Sequence, residues 1–176
     1  MISSFVRFAQ EFSERANYIS AGLSKYISDD GRFQINYLND ITDSATGKVL
    51  PTPARIDRYN GVIEVSKAKF ESYTVPMRFA ILLHEFAHFY LNEDMANETE
   101  ADLNALLIYL GLGYPRIEAL NVFTKVFITA PTEMNVERLK KIDDFIVQFE
   151  KKFVSMAYDK GQLSRMERNT KKKAAA

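Results

Sequence analysis

The sequence predicts an α+β protein, in which a small mixed sheet lies beside a buried helix and helical segments precede and follow this core. Three observations support the prediction. Apolar residues recur in steps of three and four near both ends of the chain, apolar and polar residues alternate within residues 32–66, and residues 76–91 are apolar on nearly every side. The chain has 176 residues, 47% of them hydrophobic, which is enough to bury one such core.

The N-terminal segment is predicted to be a single amphipathic helix over about residues 2–27. Its apolar positions follow heptad spacing, and the charged residues lie off this stripe. Asp29-Asp30-Gly31 has the composition of a turn, so we assign residues 1–30 to this helical segment. The apolar stripe consists of Ile2, Phe5, Ala9, Phe12, Ala16, Ile19, Leu23 and Tyr26.

Residues 32–66 are predicted to form the sheet. Phe33, Ile35 and Tyr37 alternate with polar neighbours, as in a strand that is buried on one face. Farther along, Asn60-Gly61 separates two short segments rich in β-branched residues. Asn-Gly is the strongest short-range signal for a β-hairpin, because both residues tolerate a positive φ. We therefore expect a hairpin that turns at Asn60-Gly61.

A buried helix is predicted over about residues 76–91. Pro76 suits a first helical turn, and the residues that follow leave almost no polar face. A helix that is apolar all round is buried in its protein. His84, Glu85 and His88 would therefore lie among apolar neighbours, where polar groups need partners.

Three more helices are predicted at about residues 97–111, 115–128 and 132–158. Asn97 is a favourable N-cap for the first, and Gly111 is typical of its end. The last helix carries a second apolar stripe, formed by Leu139, Ile142, Ile146, Phe149, Phe153 and Met156.

We divide the chain into four segments on these grounds. The final segment is rich in lysine and arginine and contains Glu167 as its one glutamate. The segments are the N-terminal amphipathic helix at 1–30, a metal-binding core at 31–131, a long amphipathic helix at 132–159 and a basic tail at 160–176.

His84-Glu85-Phe86-Ala87-His88 spells H-E-x-x-H and contains both histidines of the chain. Histidines four residues apart on a helix share one face, so two neutral imidazoles there can bind one Zn²⁺ from the same side. Glu85 follows the first histidine directly and can reach a water molecule beside the metal. The pentapeptide thus predicts a metal-dependent hydrolase with Glu85 as the base.

A second pattern follows in Glu98-Thr99-Glu100-Ala101-Asp102. With this E-x-x-A-D pattern, the chain resembles the gluzincin metallopeptidases over about residues 55–140, and most of all the M48-type and ImmA/IrrE-type peptidases. In general layout it is also similar to small phage-encoded zincin-like proteins. It departs from these families in having only nine residues between His88 and Glu98 and in lacking the membrane helices of M48 enzymes.

The resemblance implies a zincin-like fold with one Zn²⁺ per chain. His84, His88 and Glu98 would be its ligands, and Asp102, one turn beyond Glu98, would hold a ligating histidine. Glu100 is the alternative third ligand. Zincins often stabilise the oxyanion with a tyrosine, histidine or arginine. Since the chain has no third histidine, the candidates for that role are Tyr109, Tyr114 and Arg116.

Composition excludes several classes of function. Lysine plus arginine and aspartate plus glutamate number 23 each, so the core has no basic footprint for nucleic acid. The absence of cysteine excludes disulfides and cysteine-ligated zinc, and it favours a reducing compartment, either the cytoplasm or the inside of a virion. We expect no signal peptide and no membrane helix, because no apolar run reaches the roughly 18–20 residues that a membrane span needs.

Three hypotheses of function remain open on this basis. The first is a zinc-dependent peptidase that acts on a peptide or protein substrate. The second is a zincin-fold component of a large assembly, such as a phage virion, that docks through its terminal helices and has a weak or vestigial site. The third is a regulatory protease that cuts one specific partner.

Overall fold

A computed structural model of the chain describes residues 1–22, 24–128 and 130–174, excepting the side chains of residue 24 and of residues 154–174. The chain divides into two compact units, Met1–Leu139 and Lys140–Ala176. The α+β class is confirmed. The described elements are the helices α1 (Ile2–Arg15), α2 (Lys67–Phe70), α3 (Val75–Tyr90), α4 (Glu98–Gly111), α5 (Arg116–Val122) and α6 (Glu133–Ala174), and the strands β1 (Ser24–Ile27), β2 (Gln34–Leu38), β3 (Ala54–Ile56) and β4 (Ile63–Ser66).

The four strands form one mixed sheet with the order β1-β2-β4-β3. β2 and β4 are parallel, and the two outer pairs are antiparallel. β3 is therefore an edge strand. The predicted hairpin joins β3 to β4, but its loop is longer than two residues, since the N–H of Asp57 donates to the carbonyl of Val62 at 2.8 Å. Gly61 has a φ of +73°, whereas Asn60 keeps a negative φ.

The N-terminal helix is shorter than predicted. α1 ends at Arg15, a 3-10 turn covers Ala16–Tyr18, and residues 24–27 form β1 instead of a last helical turn. The backbone is already extended at Ile19, with φ −94° and ψ 131°, and Gly22 turns the chain into β1 with a φ of +93°. Tyr26 fits the heptad stripe by coincidence, because its ring packs on Phe12 from the neighbouring strand at a centroid distance of 5.3 Å.

The buried helix is confirmed and lies at the centre of the first unit. All residues of α3 from Met77 to His88 are buried. Thr74 caps the helix by accepting a hydrogen bond from the N–H of Met77. On one side the ring of Phe86 stacks on that of Phe5 from α1, with centroids 4.0 Å apart. α3 is thereby fixed between α1 and the sheet, and its histidines have a rigid support.

The helices after α3 agree with the predicted positions in part. α4 begins after Asn97, whose side chain accepts from the N–H of Glu100, as the sequence predicts. The predicted helix over 115–128 consists of α5 followed by a π-helical turn at Phe123–Phe127. α6 continues past the predicted end at residue 158 into the basic tail. Among the described residues, no helix has the length and hydropathy that a membrane span requires.

Candidate metal centre

His84 and His88 lie one turn apart on α3 and are both buried, with exposures of 2% and 4%. Their rings stand nearly perpendicular, at 89°, and their Nε2 atoms are 3.0 Å apart. The helical spacing alone directs both rings to one side.

Glu98 completes a group of three potential ligands. It is the first residue of α4, and its two carboxylate oxygens lie 3.5 Å from His84 Nε2 and 3.6 Å from His88 Nε2. A zinc ion bound tetrahedrally, with bonds of about 2.0–2.2 Å, separates its ligand atoms by about 3.3–3.5 Å. The three side chains therefore have nearly the spacing that zinc requires, and they form the one candidate metal-binding group within the described part of the chain.

The outer nitrogen atoms of both rings face acceptors. His88 Nδ1 lies 2.9 Å from the carbonyl oxygen of Met95, and His84 Nδ1 lies 3.0 Å from Asp102 Oδ1, although off the line of a well-formed hydrogen bond. A carbonyl and a carboxylate only accept, so each Nδ1 carries the proton when the ring is neutral. Each Nε2 then presents a lone pair to the other across 3.0 Å, an arrangement that only a cation stabilises.

The electrostatics of the group favour positive charge. Burial by itself lowers the pKa of His84, but the interactions with Asp102 and Glu98 and the charge of Glu85 outweigh burial and raise the pKa to about 9. In turn, the interactions with His84 and His88 hold the pKa of Glu98 far below its ordinary value. The residues present thus fit a divalent cation, and the two imidazoles with one carboxylate are a ligand set that zinc uses in catalytic sites.

Arg138 supports the carboxylates from behind, a role that the sequence analysis did not assign. Its guanidinium donates to Asp102 Oδ2 from Nε at 2.8 Å and lies 3.4 Å from Glu98 Oε2 through Nη2. Both Arg138 and Asp102 are buried, at 5% and 0% exposure. A signal was available, because Arg138 lies four residues before Ile142 and so places a charge on the same face of α6 as the apolar stripe.

The short connection between the two ligand helices is held by its own polar side chains. Asn92 Nδ2 donates to the carbonyl of Asn97 at 2.9 Å, and the N–H of Glu93 donates to Glu100 Oε1 at 2.9 Å. These bonds fold the nine residues into a compact loop. The same loop places the carbonyl of Met95 against His88.

Glu85 is buried at the bottom of a cleft beside the three ligands. Burial raises the pKa of its carboxyl group, and the neighbouring histidines counteract part of the rise. The backbone N–H of Ile56 in β3 lies near the carboxylate and also counteracts the rise of its pKa.

The cleft has a volume of about 280 Å³ and runs along β3. Phe127, from the π-helical turn, covers one side by stacking on the ring of His84, with centroids 4.0 Å apart. Apolar periodicity does not indicate a π-turn of this kind, so this wall of the cleft was not predicted. The described lining residues are Thr52, Ala54, Arg55, Ile56, Arg58, His84, Glu85, His88, Glu98, Val126 and Phe127.

The remaining candidates from the sequence lie elsewhere. Glu100 uses its carboxylate in the loop contact with Glu93 and is not part of the three-ligand group. Tyr109 is buried against Phe79 and Tyr114, and Tyr114 interacts through its hydroxyl with Gln10. Neither tyrosine nor Arg116 is among the described residues that line the cleft, which instead contains Arg55 and Arg58.

No protein-family model, no curated protein and no solved structure matches this chain.

Proposed function

We propose that the chain is a zinc-dependent peptidase, with His84, His88 and Glu98 as the metal ligands and Glu85 as the general base. One observation carries the proposal. The three ligand atoms converge at zinc spacing at a cleft that also contains a buried carboxylate and the free edge of a β-strand. A purely structural zinc site is closed by four protein ligands, whereas this group has three and opens to the cleft.

When it is bound, zinc supplies Lewis-acid chemistry, because it polarises a carbonyl group and makes water acidic near neutral pH. Glu85 takes up the proton of the attacking water and delivers it to the leaving amine. Burial raises the pKa of Glu85, which brings a carboxylate closer to the pH at which proton exchange is efficient.

The edge strand supports a peptide as the substrate. Asp57 bonds to Val62 and Ser66 bonds to Pro53, so residues 53, 55 and 57 of this hairpin face β4. By the alternation of antiparallel ladders, the backbone groups of Ala54 and Ile56 face away from β4, towards the cleft. An extended peptide that adds to this edge would have its backbone fixed beside the three ligands.

The proposal is tested by metal analysis and by hydrolysis of a broad peptide library. Purified chain should bind about one zinc, and His88→Ala and Glu98→Ala should lose it. Glu85→Gln should retain the zinc and the fold but should lower hydrolysis by about 10²–10⁴-fold, since it removes only the base. Glu100→Ala is the matched control, because it removes a nearby carboxylate that does not face the histidines.

Full zinc stoichiometry in His88→Ala would contradict the ligand assignment. An unchanged rate in Glu85→Gln would contradict the base. A wild-type chain that binds zinc but cleaves no member of the library would assign the metal a structural role, as in the hypothesis of an assembly component.

A further inference from the structure

We infer that the cleft selects peptides with a carboxylate near the scissile bond, and that Arg58 is the residue that recognises it. The inference rests on the proposed function, and it adds the substrate class. Arg58 is exposed and lines the same cleft as the three ligands.

Arg58 has no partner of its own. Among the residues that the structure describes, its side chain makes neither a hydrogen bond nor an ion pair. The adjacent carboxylate of Asp57 turns into its own loop, where it accepts from the N–H of Tyr59 at 2.8 Å. An exposed guanidinium with five unused donors is suited to bind a carboxylate with two parallel hydrogen bonds.

The other charged side chains of the cleft are balanced by groups of opposite charge. Arg55 donates to Glu64 at 2.6 Å and to the carbonyl of Thr42 at 3.2 Å, which neutralises and fixes it. Glu85 and Glu98 offset the two charges of a bound zinc ion. The charge of Arg58 remains as the unmatched positive charge of the described lining, and a substrate carboxylate would complement it.

The position of Arg58 follows from the strand. It lies in the turn that follows β3, two residues after Ile56, and lines the cleft at that end of the strand. A peptide lying along β3 would bring to Arg58 a side chain or a chain end that extends past the residue opposite Ile56. The carboxylate could belong to an internal aspartate or glutamate or to the C-terminus of the peptide.

The test measures binding instead of turnover, with the zinc-loaded Glu85→Gln chain and fluorescent peptides of one length. One peptide carries an internal glutamate and is capped at both ends, the second carries glutamine in its place, and the third is neutral with a free C-terminal carboxylate. We expect the first or the third to bind about two- to fivefold more tightly than the second, as one exposed charged contact provides. The ratio should shrink in concentrated salt, because the contact is screened.

Charge reversal supplies the decisive comparison. Arg58→Glu, made in the Glu85→Gln chain, should abolish the preference and favour a lysine-containing peptide. Lys25→Glu is the matched control, because Lys25 is an exposed cation on β1, at the opposite edge of the sheet. Lys25→Glu should leave the ranking unchanged.

The possible outcomes separate this inference from the proposed function. Equal binding of all three peptides, or a preference that survives Arg58→Glu, overturns the role of Arg58 even if the wild-type chain is an active peptidase. A preference that Arg58→Glu reverses supports that role, even if the wild-type chain cleaves nothing. The stronger binder of the first and third peptides identifies the source of the carboxylate.

Discussion

At the scale of single residues, Arg138 shows how a buried charge can support a candidate metal centre. Its guanidinium pairs with the fully buried carboxylate of Asp102 and also contacts the partly exposed carboxylate of Glu98. A buried ion pair adds little net stability, but loss of one partner is costly because the other charge stays buried. The pairing therefore fixes the orientation of a ligand and of the carboxylate behind His84.

We predict that Arg138→Met lowers zinc affinity by about 10–100-fold, the usual effect of removing a residue that orients a ligand. It should also destabilise the fold by about 3–5 kcal/mol, because Asp102 loses its counter-charge. A competition titration with a chelator measures the affinity, and urea unfolding measures the stability.

Arg138→Lys and Glu100→Ala are the comparisons for this prediction. Lysine keeps the charge but not the fork of donors, so it should recover part of the affinity. Glu100→Ala should lower the affinity much less than Arg138→Met, because it loosens only the loop that carries Met95. Wild-type affinity in a folded Arg138→Met chain would reduce Arg138 to a purely structural residue.

At the scale of elements, the hairpin between β3 and β4 is fitted against the end of α3. A Cβ atom at Gly61 would lie 2.6 Å from the hydroxyl of Tyr90 and 3.0 Å from a ring carbon of Phe89. The tight contact and the positive φ both require glycine at this position. The edge strand that lines the cleft is thereby set in position relative to the helix that bears the histidines.

We expect Gly61→Ala to destabilise the protein by about 2–3 kcal/mol, from backbone strain plus the contact with α3. Gly47→Ala separates the two causes, since Gly47 has a φ of +68° but no atom within 4 Å of its Cβ position. That control should cost only about 1 kcal/mol of strain. Urea unfolding of both variants tests the comparison, and equal losses would show that the contact with α3 contributes nothing.

The elements predicted best are those whose signals are local. Thr74 and Asn97 cap their helices through neighbouring N–H groups, and the strand and hairpin patterns span only a few residues. Strand β1 was not predicted. Tyr26 occupies a heptad position in the sequence, and spacing alone does not show whether its ring reaches Phe12 from the same helix or from a neighbouring strand. Phe127 was missed because a π-turn, and not periodicity, aims its ring at His84.

At the scale of the whole molecule, the residues of the candidate metal centre come from distant parts of the sequence. The histidines and Glu85 belong to one pentapeptide, which the sequence shows directly. Glu98, Ile56 and Arg138 approach them only through the packing of α4, β3 and α6. Contacts between elements that are distant in sequence leave no pattern in the sequence. Glu98 was therefore predicted only from the resemblance to known peptidases, and Ile56 and Arg138 were not predicted.

We predict that a chain ending at residue 153 binds zinc with the stoichiometry and affinity of the full chain. All ligands and supporting residues, including Arg138, lie within the unit Met1–Leu139. Metal analysis and a chelator titration on both chains test this. A loss of zinc on truncation would show that the second unit contributes to the centre. Docking to an assembly through Phe153, which is 65% exposed on α6, stays a separate prediction.

The position of Arg138 in the sequence also determines the order in which the residues of the candidate site are synthesised. During synthesis the histidines and Glu98 leave the ribosome first, and Arg138 follows 40 residues later. At about 5–20 residues per second, the delay is about 2–8 s. Throughout that interval, Asp102 and Glu98 lack the guanidinium that later pairs with them. If the site binds zinc as proposed, tight binding of the metal would begin only after the first turns of α6 have been made.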